Sequence, residues 1–156
     1  ALLLGCSVAL IITFSFTAHQ RNNVWNSEIN LWEDVIRKSP YIARAHNNLG
    51  SAYADKGLLD DALGEYYAVL RLRPEHAEAY NNIGNIYTLM EFPDKAVQYY
   101  RTALELNPDA AETHVNLGNA YRQKGLVSEA AREFEAALKI KPDFVQARQN
   151  LESVRR

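Results

Sequence analysis

The chain has 156 residues, is 47% hydrophobic and 23% charged, and carries a formal charge of −2. That length suffices for one sizeable core or one repeat array, and without a basic excess no nucleic-acid partner held by phosphate neutralisation is expected. A single cysteine, Cys6, excludes an internal disulfide framework and a multi-cysteine zinc site.

The opening, ALLLGCSVALIITFSFTAHQ, contains no Asp, Glu, Lys or Arg. Eighteen helical residues rise about 27 Å, slightly short of a hydrocarbon core of about 30 Å. Residues 1–20 are therefore predicted to form a transmembrane helix. Its anchor residues are Leu2, Leu3, Leu4, Val8, Leu10, Ile11, Ile12, Phe14 and Phe16, which would meet lipid and other membrane proteins. The chain does not begin with Met, which leaves room for a longer span upstream. A cleaved signal peptide needs a basic leader and a small-residue cleavage site, and neither is visible. LLGC resembles a lipobox, with Cys6 as the lipidated residue, but the apolar run continues through SVALIITFSF where lipoproteins turn polar. A soluble capping helix is the third alternative, although few such helices are apolar on every face. Arg21, Arg37 and Lys38 follow the segment, so the charge comparison that sets topology has only one arm.

Residues 21–42, RNNVWNSEINLWEDVIRKSPYI, follow directly. Residues 23–38 are predicted as a helix. From residue 43 the chain repeats itself at a period of 34. The copies are ARAHNNLGSAYADKGLLDDALGEYYAVLRLRPEH (43–76), AEAYNNIGNIYTLMEFPDKAVQYYRTALELNPDA (77–110) and AETHVNLGNAYRQKGLVSEAAREFEAALKIKPDF (111–144). A truncated fourth, VQARQNLESVRR (145–156), reads as a capping helix. Each full copy holds two blocks of helical apolar spacing divided by a short turn, and Pro74, Pro108 and Pro142 end the second block. Pro40 stands one period before Pro74, which makes the 23–38 helix the second half of an incomplete leading repeat, with Trp32 as its aromatic.

Glycine inside a helix costs about 1 kcal/mol against alanine, so Gly50, Gly84 and Gly118 imply close approach of the partner helix. Ala62, Ala96 and Ala130 are small for the same reason, and Tyr53, Tyr87 and Tyr121 are predicted to fill the gap between the helices. Gly57 and Gly125 supply the turn of their copies. The middle copy has Glu91 there and Pro93 two residues later, which predicts a different turn backbone with Pro93 in the first turn of the next helix.

On these residues the chain resembles the tetratricopeptide repeat family, over 43–144 in full and at both flanks as half-repeats. The resemblance implies an all-α solenoid of antiparallel helix pairs, with first helices lining a concave groove that holds a protein or peptide partner. It implies a scaffold, with no cofactor and no catalysis in the repeats. The sequence agrees in having no glycine-rich phosphate loop, HExxH, serine elbow or paired metal ligands at helical spacing. His46 and His114 share a repeat position and read as packing residues two layers apart.

The groove candidates are amide-rich. Asn48, Asn82, Asn116 and Asn150 fall one per unit at one repeat position, with Asn47 and Asn81 before two of them and Asn85 and Asn119 one turn on. An asparagine amide both donates and accepts, which suits backbone recognition, and such a ladder resembles the groove of O-linked N-acetylglucosamine transferases. The alternative is that these amides bond between repeats. Chaperone-binding members of the family clamp a C-terminal carboxylate with cations, whereas the matching positions here are Asn47, Ser51, Asn82, Glu112 and Asn116. Charges such as Asp60, Asp61, Arg71 and Arg73 read as solvated faces.

The stretch from Arg21 through Asn22, Trp25, Glu28, Leu31 and Pro40 into the AHNNLG run resembles the junction in polytopic, O-mannosyltransferase-like membrane proteins with C-terminal repeat arrays outside the cytoplasm. The expectation is thus a membrane-anchored adaptor with an extracytoplasmic array. The alternative is the C-terminal repeat region of such an enzyme, with its catalytic part elsewhere.

Overall fold

A computed structural model describes residues 28–155. Among the described residues the chain forms eight helices: α1 (Glu28–Lys38), α2 (Ala43–Asp55), α3 (Leu59–Leu72), α4 (Ala77–Leu89), α5 (Pro93–Leu106), α6 (Ala111–Gln123), α7 (Val127–Ile140) and α8 (Val145–Arg155). The predicted leading helix is present from Glu28 onward. The anchor residues Leu2 to Phe16, with Cys6 and Trp25, lie outside the described residues. No described helix is long and apolar enough to cross a membrane.

Each helix packs on the helices before and after it, and the first helices of successive repeats also touch, α4 with α6 and α6 with α8. The arrangement is the all-α solenoid expected from the period. Its repetition is visible in the backbone. The residues that close α3, α5 and α7 (Arg73, Asn107 and Lys141) have φ of −142°, −139° and −131°, with ψ near 85–89°. A following proline forces that extended shape, because its ring excludes the helical region for the residue before it.

The glycine reading holds, but a different aromatic answers it. A β-carbon at Gly50 would lie 2.8 Å from Tyr66, at Gly84 2.6 Å from Tyr100, and at Gly118 2.5 Å from Phe134. The notch in each first helix therefore admits a second-helix ring four residues after Ala62, Ala96 or Ala130. These alanines are fully buried, and so are the three rings to within a few per cent. Tyr53, Tyr87 and Tyr121, predicted to fill the gap, instead pack half-buried against the core clusters. The Tyr53 hydroxyl reaches out of the core and donates to Glu33 at 2.8 Å, and burial followed by that carboxylate pushes its pKa up to about 12.

The middle turn corrects a second expectation. Glu91 has φ +63°, beside +73° at Gly57 and +74° at Gly125. The hydrogen bond that closes each turn is the same, from Leu58, Phe92 and Leu126 N–H to Tyr53, Tyr87 and Tyr121 carbonyl at 2.8–2.9 Å. The stacked helices dictate this backbone, and Glu91 adopts it despite its β-carbon. Pro93 does open α5 as predicted. Left-handed φ strains a non-glycine residue, so Glu91→Gly is expected to stabilise the fold. The gain is about 1 kcal/mol, the strain relieved less the freedom added to the unfolded chain, and urea unfolding reads it directly.

Candidate functional site

The first helices of repeats 1 and 2 enclose a groove of about 400 Å³. From α2 come Asn47, Asn48, Ser51 and Asp55, and from α4 come Glu78, Asn82, Asn85 and the exposed Leu89. The faces follow from helical spacing: Asn48 and Asp55 are seven residues apart, as are Asn82 and Leu89, two turns along one stripe. Tyr66, wedged at Gly50, contributes to the lining from α3. Burial first, then the Asp55 and Glu78 carboxylates, push its phenol up to about 12.

Most of the amide ladder is engaged with itself. Asn82 donates to Asn47 Oδ1 at 3.2 Å, and Asn116 donates to Asn81 Oδ1 and Asn85 Oδ1 at 3.2 and 3.1 Å. Asn150 donates to Asn119 Oδ1 at 3.1 Å. Every one of these bonds crosses from one repeat to the next. Asn47 spends its own N–H on Glu78 at 3.0 Å, and Asn85 also accepts from the Tyr100 hydroxyl at 2.8 Å. Asn48 differs: its amide makes no hydrogen bond among the described residues, and it faces the groove.

Asn47, Asn48, Ser51, Asn82 and Asn85 are thus brought together, as their shared repeat positions implied. Asn81 lines a separate cleft with Glu78, Asn107 and Thr113, while Asn116, Asn119 and Asn150 carry the ladder toward α8. Sequence reasoning missed Asp55, Glu78, Tyr66 and Leu89. The seven-residue spacing from Asn48 and Asn82 was the signal that could have found two of them.

His46 and His114 do not converge. Each ring ties its own repeat to the unit before it: Nδ1 meets Glu65 at 2.6 Å or Glu133 at 2.7 Å, and Nε2 meets the Pro40 carbonyl at 2.9 Å or the Pro108 carbonyl at 3.0 Å. In the middle copy Tyr80 and Tyr99 occupy the same two positions and stack at 6.4 Å. Tyr99 also stacks on Tyr87 and bonds the Tyr67 hydroxyl at 2.8 Å, so an aromatic cluster replaces the His–Glu hydrogen bond there.

Both nitrogens of His114 face acceptors, which the doubly protonated ring alone can satisfy. The Glu133 bond is the main cause that raises its pKa above the ordinary 6.5, with burial opposing. A folded-state pKa above the unfolded one gives stability that is complete below pH 6.5 and lost as pH rises through the folded value. The stability gap between wild type and His114→Gln is therefore expected to be widest below pH 6.5 and to narrow above neutrality. Urea titrations at several pH values check it; a constant gap would show that the ring's charge is immaterial.

Comparison with known proteins agrees with this architecture. A model for the tetratricopeptide repeat matches residues 41–109 and again 75–143. Among curated proteins, the Protein O-mannosyl-transferase F38B6.6 of Caenorhabditis elegans is 31% identical over 61 residues, which are 39% of this chain and 9% of that protein. The chain thus matches only a small part of that relative's length. Among solved structures, MamA superposes with a TM-score of 0.74 at 27% identity, covering 81% of this chain and 74% of MamA. The first repeat domain of Spaghetti (RPAP3), solved with the HSP90 peptide SRMEEVD, has a TM-score of 0.70 at 20% identity, covering 72% and 90% of the two chains. The second repeat domain of human RPAP3, solved with the HSP70 peptide SGPTIEEVD, gives 0.69 at 20%, covering 73% and 95%. Two overlapping matches that together take in residues 41–143, on a backbone of stacked helix pairs, establish that the chain belongs to the tetratricopeptide repeat family.

Proposed function

We propose that the chain is a peptide-binding scaffold whose partner lies in the groove between α2 and α4. The observation that carries this is that the unbonded Asn48 amide and the exposed Leu89 line one cavity, a polar and an apolar handle. Asn48→Ala is expected to weaken a bound peptide about fivefold, one hydrogen bond's net worth, without moving the unfolding midpoint. Calorimetric titration with whatever peptide co-purifies measures it; unchanged affinity removes Asn48 from the site. The structures solved with peptides ending in EVD supply the precedent of peptide binding by this fold, in their own chains.

We further propose that residues 1–20 anchor this scaffold in a membrane, alongside other membrane proteins, with the array outside the cytoplasm. The support is the uncharged, apolar run from Leu2 to Phe16. Resistance to alkaline carbonate extraction tests the anchor, and release by carbonate removes it. A second reading has its own support in the 61-residue likeness to the O-mannosyl-transferase: the array serves as the repeat region of a polytopic glycosyltransferase-type enzyme. Native extraction and intact mass separate the two, since the second reading requires a much larger polypeptide.

A further inference from the structure

The only charged residues lining the groove are acids, Asp55 and Glu78. Asn82 and Asn47 each give one N–H, to Asn47 and Glu78 respectively, and Asn85 accepts from Tyr100 and Asn116 through its oxygen. Asp55 has no ion pair among the described residues, and the one bond of the Glu78 carboxylate there is to a neutral amide. No Lys or Arg is among the lining residues. Two carboxylates with no cation among the lining residues favour a ligand that brings positive charge, and Lys and Arg side chains are donors with no acceptor at all. We infer that the occupant is a basic peptide, with Lys or Arg side chains on Asp55 and on Glu78 toward the two ends of the groove and an apolar residue on Leu89.

This rests on the groove being the peptide site, and it fixes the sign of the partner's charge. Tyr66 reports the same field, since both carboxylates help to raise its phenol beyond the effect of burial. The other acid of this helix face, Glu112, lies 3.9 Å from Lys141 and is partly neutralised; the negative charge is concentrated at Asp55 and Glu78. The charge is opposite to that needed for the acidic EVD-ended peptides held by the RPAP3 domains. Such peptides are expected to be repelled.

The test is selection of a displayed library of short random peptides on the full chain, and in parallel on Asp55→Asn/Glu78→Gln. Both residues are exposed, so the variant should fold, and its circular-dichroism melt is to match the wild type; if it does not, Asp55→Asn alone takes its place. The expected wild-type pool is enriched in Lys and Arg. A peptide chosen from it is expected to bind about tenfold more weakly to the double variant, and to weaken similarly from low to high salt. A neutral or acidic pool whose binding is still lost in Asn48→Ala overturns the charge inference and leaves the groove reading standing. A pool indifferent to Asn48→Ala, or no enrichment at all, overturns the groove reading itself.

Discussion

Phe134→Ala is expected to destabilise the array by about 3–5 kcal/mol, the range for removing a fully buried ring. Phe134 is 0% exposed, and its ring carbon would stand 2.5 Å from a β-carbon on Gly118. Ring and notch form one device, and a double-mutant cycle exposes it. In the wild type, Gly118→Ala forces the ring aside, costing about 1–3 kcal/mol of overpacking against about 1 kcal/mol gained in helix propensity. In the Phe134→Ala background the obstruction is gone and only the propensity gain remains. The same substitution is thus expected to change sign, from destabilising to stabilising, as read by urea unfolding of all four proteins. If Gly118→Ala stabilises both backgrounds, the glycine is not there to admit the ring.

The second large effect is in the amide ladder. Asn82→Ala with Asn116→Ala removes the donor of one inter-repeat bond to Asn47 and of two to Asn81 and Asn85. All five side chains are only partly exposed, and each stranded half-buried partner costs roughly 1 kcal/mol. The double variant is expected to lose about 2–3 kcal/mol of stability, measured by denaturant unfolding. Asn48→Ala, one residue from Asn47, is expected to stay within about 0.5 kcal/mol of wild type, as is usual for a side chain with no bond to lose. The two variants thus separate stacking from recognition: one loosens the array, the other empties the groove of a contact.

Much of the fold was legible because it is written as repetition. The period of 34, the terminal prolines and the internal glycines each have a local physical cause, so finding one copy located the others. The misses also share a cause. Glu91 carries no mark of left-handed backbone, because its conformation is imposed by helices that pack on either side. The choice of Tyr66, Tyr100 and Phe134 over Tyr53, Tyr87 and Tyr121 as the rings in the notches depends on which face of the second helix turns inward, and both sets have helical spacing. The ladder's residues were identified, but its bonds join amides 31 or 35 positions apart, and only the stacking distance decides whether they meet each other or a ligand. Asp55 and Glu78 looked like ordinary solvated charges because the groove they line exists only across two helices.

Those two helices belong to different repeats, joined through α3, and each element of the array touches little beyond its neighbours. Any opening of that one joint parts Asn48 and Asp55 from Glu78 and Leu89. A peptide lying across the groove acts as a clasp on it, stabilising the joined state by mass action. The linkage runs the other way as well: tension drawn along the chain that eases repeat 1 from repeat 2 lowers affinity before any helix unwinds. On the proposed reading, grip on the partner and resistance to being pulled straight are two measurements of one equilibrium.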